Sequence, residues 1–290
     1  MSFAQQYRPS TLVDVIGQAG VVQSIERLTS KAGAEFPHMF LLHGPAGTGK
    51  TTLARLIAEL AGADPSAIEE VNAANRTGID DWRKHLGRLE YRPQIGDVKV
   101  VIVDECQKLS AAAWTLLLKP TEDGPQHVYW VFCTTDLRKV PETMVSRAID
   151  YRIRPSKPDE LYSLVQSVAE REQVWLDVAD NDRADMIWQV VEYAKGSPRQ
   201  ALTGLEAAAA ATDLGKAQEL LTDAKPPQQV IDLIKALVFG RCTLRSAISM
   251  VKALDRGTDP ESVRRNLMGF VLKVMFSDKT SDSSVIKLLP

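Results

Sequence analysis

The sequence has little cysteine and no long apolar run. Its three cysteines lie far apart and form no C-x-x-C pair, so neither a disulfide framework nor a zinc site is indicated. No stretch approaches the roughly eighteen apolar residues of a membrane span, and residues 1–9 contain no apolar signal-peptide core. We therefore expect a cytoplasmic protein with reduced cysteines, no zinc and no membrane contact.

A large excess of charge of either sign is also absent. The formal net charge is -2 over 290 residues, so any contact with nucleic acid must come from a local basic patch. The length suits one large domain or two to three small ones, each with its own core. Composition alone therefore neither favours nor excludes a nucleic-acid partner.

Up to about residue 153, short apolar runs alternate with helical patterns. Strands are predicted at 39–42, 98–103, 128–133 and 149–153, with a weaker candidate at 68–72. Strands that alternate with helices indicate a parallel sheet covered on both faces. This part of the chain is therefore predicted to have an α/β fold.

Beyond Pro155-Ser156-Lys157-Pro158 every periodic segment has the pattern of a helix. Helices are predicted at 159–171, 184–193, 198–211, 228–239, 244–254 and 261–276. The two proline-containing stretches near 155–158 and 224–227 predict domain boundaries. The expected domains are 1–155, 156–224 and 225–290.

Residues 44–51 match a phosphate-binding loop in full. They read G-P-A-G-T-G-K-T, which fits G-x-x-x-x-G-K-[ST], between a predicted strand and an amphipathic helix. Glycines let backbone N–H groups turn inward around phosphates, Lys50 can reach the β- and γ-phosphates, and the Thr51 hydroxyl can ligate Mg²⁺. The strand before the motif and the helix after it argue against the alternative that this is a chance glycine-rich turn. ATP with Mg²⁺ is predicted to bind Gly44, Pro45, Ala46, Gly47, Thr48, Gly49, Lys50, Thr51 and Thr52.

Polar residues follow two later predicted strands. Asp104 and Glu105 come directly after the buried run 98–103, where carboxylates suit a nucleotide site. Asp104 is predicted to hold Mg²⁺ with Thr51, and Glu105 to orient the attacking water. The alternative is an ordinary acidic turn after a strand. The next strand ends in Thr134-Thr135-Asp136, and a hydroxyl there is placed to bond the γ-phosphate or the water, although threonines are common at strand ends.

The order of motifs resembles that of AAA+ clamp loaders, and in particular the bacterial tau/gamma motor subunit. The resemblance covers residues 3 to about 211, and segments 75–81 and 141–147 look like that subunit's own. It rests on Tyr7-Arg8-Pro9, Val15-Ile16-Gly17-Gln18, the phosphate loop, Asp104-Glu105, Thr134-Thr135, Ser146-Arg147 and Gly196-Ser197-Pro198-Arg199.

The resemblance implies roles for residues that the motifs alone leave open. Thr135 matches the sensor-1 position, Arg199 the sensor-2 arginine of a helical lid, and Arg147 the arginine finger that reaches a neighbour's ATP. It places Tyr7, Arg8, Val15 and Ile16 near the adenine and ribose. The implied fold is a AAA+ P-loop domain, a helical lid and a small helical, collar-like oligomerisation domain. The implied catalytic residues are Lys50, Asp104, Glu105, Thr135, Arg147 and Arg199.

The sequence departs from the family in four places. The bacterial subunit's four-cysteine zinc module is missing, and its Ser-Arg-Cys reads Ser146-Arg147-Ala148 here. Pro120 is expected to end its helix early and so to alter the adjacent subunit contact. The region after the lid is short for a collar. A minimal, zinc-free loader of the kind phages encode fits these departures.

The segment 80–90 is predicted to form an amphipathic helix with one basic face. Trp82, Leu86 and Leu89 fall on one side and the basic residues on the other. In the family this helix borders the channel around duplex DNA, where phosphate contacts are independent of sequence. A solvated basic face is the alternative, and Trp82 and Trp114 are expected in the core. The candidate DNA-binding residues are Arg76, Thr77, Arg83, Lys84 and Arg88.

These observations favour a DNA-dependent ATPase that opens a sliding clamp and places it on primed DNA. Its expected partners are the clamp, primer-template DNA and other loader subunits in a ring, for which the family implies five members. Two alternatives stay open. One is a structural loader subunit that has lost hydrolysis, against which Lys50, Thr51, Asp104 and Glu105 argue. The other is a different AAA+ DNA motor, such as a branch-migration ATPase.

Overall fold

A computed structural model describes residues 1–30, 36–75 and 79–221, together with Ala236. The described residues up to Leu221 belong to one unit, Met1–Leu221. Apart from Ala236, the helices predicted at 228–239, 244–254 and 261–276, and the collar-like domain they would form, lie outside the described residues. None of the helices within the described ranges is long and apolar enough to span a membrane.

Five parallel strands form a single sheet in the first part of the chain. They are β1 (Met39–His43), β2 (Ile68–Asn72), β3 (Lys99–Asp104), β4 (Val128–Thr134) and β5 (Ile149–Arg152). Their spatial order is β2-β3-β4-β1-β5. All five predicted strands are confirmed to within one residue, including the weaker candidate at β2.

Ten α-helices accompany the sheet in the described ranges. They are α1 (Phe3–Gln6), α2 (Ala19–Ser30), α3 (Lys50–Leu60), α4 (Ile79–Leu89), α5 (Ala111–Glu122), α6 (Glu142–Val145), α7 (Pro158–Arg171), α8 (Asp180–Ala194), α9 (Pro198–Ala208) and α10 (Leu214–Leu221). Helices cover both faces of the sheet. Trp82 of α4 and Trp114 of α5 are buried in the core on one face, whereas Ile25 of α2 and Leu53 of α3 are buried on the other. The predicted α/β fold is confirmed.

Helices α7 to α10 build a second core of their own. Its fully buried members include Val165, Val190 and Leu205. Helix α8 begins at Asp180, four residues before the predicted start. The prediction missed this first turn because it contains Asp180 and Asp182. These carboxylates break the apolar pattern but suit the positive end of the helix dipole. Helix α10 was not predicted.

The expectation that Pro120 ends its helix early was wrong. Helix α5 continues through Pro120 to Glu122. A proline removes one N–H from the ladder and crowds the carbonyl four residues earlier, but here it stands in the last turn, two residues before the helix ends. The Thr121 hydroxyl donates to the carbonyls of Leu117 and Leu118, each at 2.9 Å. This local bonding keeps the turn helical, so the reason for expecting an altered subunit contact falls away.

Candidate nucleotide-binding site

The carboxyl ends of three neighbouring strands meet beside one cleft. His43 of β1 pairs with Thr134 of β4, and Val103 of β3 pairs with Phe132 of β4, so the residues that follow β1, β3 and β4 lie along one edge of the sheet. The cleft has a volume of about 520 Å³ and is also lined by α7 and α9. The predicted residues that line it are Tyr7, Arg8, Val15, Ile16, Ala46, Gly47, Thr48, Gly49, Lys50, Thr51, Thr52, Asp104, Glu105 and Arg199.

At two glycines of the phosphate loop, any larger residue would clash with neighbouring atoms. Gly47 has a φ of 74°, and a Cβ there would overlap the Ser197 hydroxyl. A Cβ at Gly44 would overlap the carbonyl of Ile153. Helix α3 begins immediately after the loop, at Lys50, and directs its positive dipole end at the cradle. The loop therefore keeps the open backbone that a bound phosphate chain needs.

Lys50 is buried and held against the loop. Its Nζ donates to the carbonyl oxygens of Gly44 at 2.9 Å and Pro45 at 2.8 Å. Burial lowers the pKa of the Lys50 ammonium from its ordinary value, because a low-dielectric environment disfavours the charged form. A phosphate bound beside this amine would favour the charged form again.

Thr51 and Asp104, the two predicted Mg²⁺ ligands, are in direct contact. The Thr51 hydroxyl donates to Oδ2 of Asp104 at 2.8 Å, and Oδ1 of Asp104 accepts the backbone N–H of Glu105, also at 2.8 Å. A hydroxyl and a carboxylate are the hard oxygen donors that Mg²⁺ prefers, usually together with water and substrate phosphates. The residues present therefore fit a magnesium ion shared with a triphosphate.

Positive charges converge on the same cleft. Burial lowers the pKa of Arg8, and the nearby charges of Arg55 and Arg199 lower it further. Arg199 also contributes to the lowered pKa of Lys50. Arg8, Lys50 and Arg199 line the cleft, and positive charges gathered in a partly buried cleft raise its potential and favour an anion there. Arg55 forms a two-pronged ion pair with the Glu70 carboxylate.

Helices α7 to α10, the segment predicted to be the lid and called the lid below, contact the phosphate loop through the first turn of α9. The Ser197 hydroxyl donates to the carbonyl oxygen of Gly47 at 3.1 Å and accepts the N–H of Gln200 at 3.2 Å. The N–H of Arg199 lies 3.5 Å from the same Gly47 oxygen. This pair of contacts fixes where the lid presents Arg199. Sequence analysis gave Ser197 no role, although a serine at the N-cap of a helix, two residues before the predicted sensor arginine, was a usable signal.

The N-terminal segment packs against both the core beside the sheet and the core of the lid. Phe3, Tyr7 and Ile16 pack against the lid core. The Tyr7 hydroxyl donates to Glu172 at 2.5 Å, and this hydrogen bond raises the pKa of Tyr7. Tyr7 and Ile16 also line the cleft, and an aromatic and an aliphatic side chain suit contact with a nucleoside base.

Thr135 reaches the site indirectly. It does not line the cleft, but its hydroxyl accepts a hydrogen bond of 2.8 Å from Nε2 of Gln107, which also donates to the Glu105 carboxylate. Gln107 belongs to no motif that sequence analysis recognised. Only its position two residues after Glu105 could have drawn attention to it.

Arg147 lies apart from the cleft. Its guanidinium pairs with Glu122 at the end of α5, with an N–O distance of 2.8 Å, and about a third of the side chain (35 %) is exposed. An ion pair of this exposure contributes at most about 1 kcal/mol to stability. The geometry leaves Arg147 accessible to a neighbouring molecule, and its role as a finger stays a prediction.

Helix α4 has the two faces predicted for it. Trp82 and Leu89 are buried, whereas Arg83, Lys84 and Arg88 are exposed. Trp82 and Trp114 are core residues, as expected. Arg76 and Thr77 lie outside the described residues. The part played by the basic face in DNA binding stays a prediction.

Comparison with known proteins relates the chain to DNA polymerase III. Residues 62–157 match the family described as "DNA polymerase III, delta subunit". The chain is 29 % identical over 221 residues to the gamma subunit of Buchnera aphidicola subsp. Baizongia pistaciae and 30 % identical over 299 residues to the gamma/tau subunit of Mycobacterium tuberculosis strain H37Rv. These alignments cover 69 % and 92 % of this chain. The chain spans only 58 % and 50 % of the two relatives' own lengths.

Solved structures give the same fold. The Thermotoga maritima RuvB Holliday junction branch migration motor superposes with a TM-score of 0.61 at 20 % identity, over 96 % of this chain and 93 % of that one. At this identity the likeness shows the fold alone. Together the matches confirm the resemblance seen in the motifs: the chain is similar in sequence to the gamma and tau subunits of bacterial DNA polymerase III.

Proposed function

We propose that this chain is an ATPase subunit of a sliding-clamp loader, which uses ATP to open a clamp and place it on primed DNA. The observation that carries the proposal is the convergence, in one cleft, of a buried Lys50, the bonded pair Thr51 and Asp104, Glu105, and Arg199 from the lid. A structural subunit without hydrolysis would have no need of Glu105 beside the magnesium ligands.

We assign each of these residues a separate role in phosphoryl transfer. The loop and Lys50 bind the triphosphate, and Arg199 contacts it from the lid. Mg²⁺ held by Thr51 and Asp104 would neutralise charge on the β- and γ-phosphates. Glu105 orients the attacking water. Catalysis of this kind depends on positioning and charge stabilisation rather than on covalent chemistry.

A neighbouring subunit completes the proposed site. Arg147 is exposed and lies outside its own chain's cleft, as expected for a residue that acts on a neighbour's nucleotide. The partners we propose are further loader subunits in a pentameric ring, the clamp, and primer-template DNA. ATP binding would favour the assembled state, and clamp and DNA would favour it further through their own preferential binding.

The function is tested by phosphate release from the chain assembled with the products of neighbouring genes. The assay compares neither ligand, cognate clamp alone, primed DNA alone, and both. We expect stimulation by the two together to exceed the sum of the single effects, because each shifts the same assembly equilibrium. The Glu105→Gln protein sets the background.

Two other outcomes would replace the proposal. Strong stimulation by four-way DNA junctions without any response to a clamp would identify a branch-migration motor. ATP binding without turnover under every condition would identify a structural loader subunit.

The basic face of α4 gives a separate prediction about DNA. Replacing Arg83, Lys84 and Arg88 with glutamate is expected to weaken DNA binding about equally for all sequences. It should also flatten the slope of log K against log salt by roughly 0.9 for each lost phosphate contact. Fluorescence anisotropy at several salt concentrations measures both quantities.

The matched control reverses three exposed charges elsewhere, at Arg152, Lys157 and Lys216. It changes the net charge by the same amount, so a general electrostatic effect would appear in both proteins. An unchanged salt slope in the α4 variant would assign that face to solvent.

A further inference from the structure

Gln107 is a buried polar residue that the proposed function leaves without a role. It lies in the short turn after β3, two residues beyond Glu105, and only 9 % of it is exposed. Its carboxamide lies between the ends of β3 and β4. It thereby links the proposed water-orienting carboxylate to the proposed γ-phosphate sensor, Thr135.

Every polar atom of this carboxamide is engaged. Oε1 accepts the hydroxyl of Thr134 at 2.8 Å and the N–H of Thr135 at 3.4 Å. Nε2 donates to the hydroxyl of Thr135 at 2.8 Å and to the carboxylate of Glu105. An amide has two acceptor and two donor sites, so this arrangement satisfies both sides of the group.

The chemistry of the partners fixes the orientation of the amide. A carboxylate can only accept, and the N–H of Thr135 can only donate. Exchanging the amide oxygen and nitrogen would set oxygen against the Glu105 carboxylate and nitrogen against that N–H. The side chain therefore has a single favourable orientation, and it directs N–H groups at Glu105 and at the Thr135 hydroxyl.

Glu105 needs such support because its backbone is unusual. Its φ and ψ are 53° and 37°, in the left-handed region, which costs a residue with a side chain on the order of 1–3 kcal/mol and persists only where the surroundings enforce it. The N–H of Glu105 is held by Asp104, and its carboxylate is held by Gln107.

We propose that Gln107 is a positioning residue for hydrolysis, which holds the Glu105 carboxylate in register with Thr135. The inference rests on the proposed function, since it assigns Gln107 a part only if Glu105 orients the attacking water. Among the described residues, the side-chain hydrogen bonds of Gln107 go to Glu105, Thr134 and Thr135, and none goes to the phosphate loop or to the oxygens of Thr51 and Asp104. Removal of Gln107 should therefore slow turnover without weakening ATP binding.

Two variants test this proposal. Gln107→Met keeps the length of the side chain and removes all four hydrogen bonds. Gln107→Glu keeps an oxygen for Thr134 but removes the donor to Glu105. Both are expected to lower kcat about 10- to 100-fold, since a misplacement of about 1 Å costs roughly a hundredfold. The Kd for ATP, from a titration with a fluorescent analogue, should change less than about threefold.

A double-mutant cycle with Glu105→Gln separates positioning from folding. If Gln107 acts through Glu105, Gln107→Met changes the residual single-turnover rate of Glu105→Gln by less than about twofold, because the two effects are not additive. An equal loss in both backgrounds, a parallel loss of ATP affinity, or an increase in kcat would each overturn the proposal. Absence of turnover in the unsubstituted protein would instead contradict the proposed function.

Discussion

Replacing Arg147 with alanine is expected to slow ATP hydrolysis in the assembled protein by about a thousandfold or more, the contribution of an arginine finger, while ATP binding stays nearly unchanged. The reason is geometric. Arg147 does not line the cleft of its own chain, and within the described part of the chain its guanidinium forms an ion pair with Glu122. The finger hypothesis therefore requires that another subunit brings the triphosphate to Arg147. Phosphate release and nucleotide titration measure the two effects separately.

Arg183→Ala is the matched control, because Arg183 also pairs with a surface carboxylate, Asp180, on the lid. It should leave hydrolysis unchanged. Mixing Arg147→Ala with Lys50→Ala protein should restore part of the activity, since each supplies what the other lacks. If dilute monomer hydrolyses ATP as fast as assembled protein does, Arg147 is not a finger.

Lys50→Ala and Glu105→Gln are expected to fail at different steps. Removing the Lys50 ammonium should weaken ATP binding by roughly 2–5 kcal/mol, the usual loss when one member of a buried charged pair is truncated, or about 30-fold and more in Kd. Glu105→Gln leaves the loop, Lys50 and the pair Thr51–Asp104 intact. It should bind ATP normally and lose turnover.

Lys99→Ala is the control for the first of these variants. Lys99 is also buried, and its Nζ donates to the carbonyls of Arg88 and Tyr91, each at 3.2 Å. Lys99→Ala removes a buried amine that is distant in sequence from the phosphate loop. The Kd for ATP should stay unchanged in this protein. An equal loss of binding in Lys50→Ala and Glu105→Gln would show that their roles are misassigned.

The sheet and the phosphate loop could be predicted from sequence because both leave strong local signals. A fully buried parallel strand is a continuous apolar run, as at β3 and β4. The loop carries a fixed motif between a strand and a helix. The two faces of α4 were predictable for the same reason, since Trp82 and Leu89 recur at helical spacing.

The parts that escaped prediction depend on contacts between distant segments. The network of Gln107 exists only because β3 and β4 are neighbours, which no local pattern reveals. Ser197 meets Gly47 across 150 residues of sequence. Pro120 shows the opposite error: a strong local rule against proline in helices was outweighed by bonds from Thr121 in the final turn.

The central claim is that this cleft is a magnesium-dependent ATP site, and the most direct test is the ATP that Glu105→Gln protein retains after rapid desalting. With Mg²⁺ we predict stoichiometric, unhydrolysed ATP, which is released on chelation because Thr51 and Asp104 share the ion with the phosphates. The double variant Lys50→Ala, Glu105→Gln should retain none. Equal retention by the two proteins, or retention indifferent to Mg²⁺, would contradict the account.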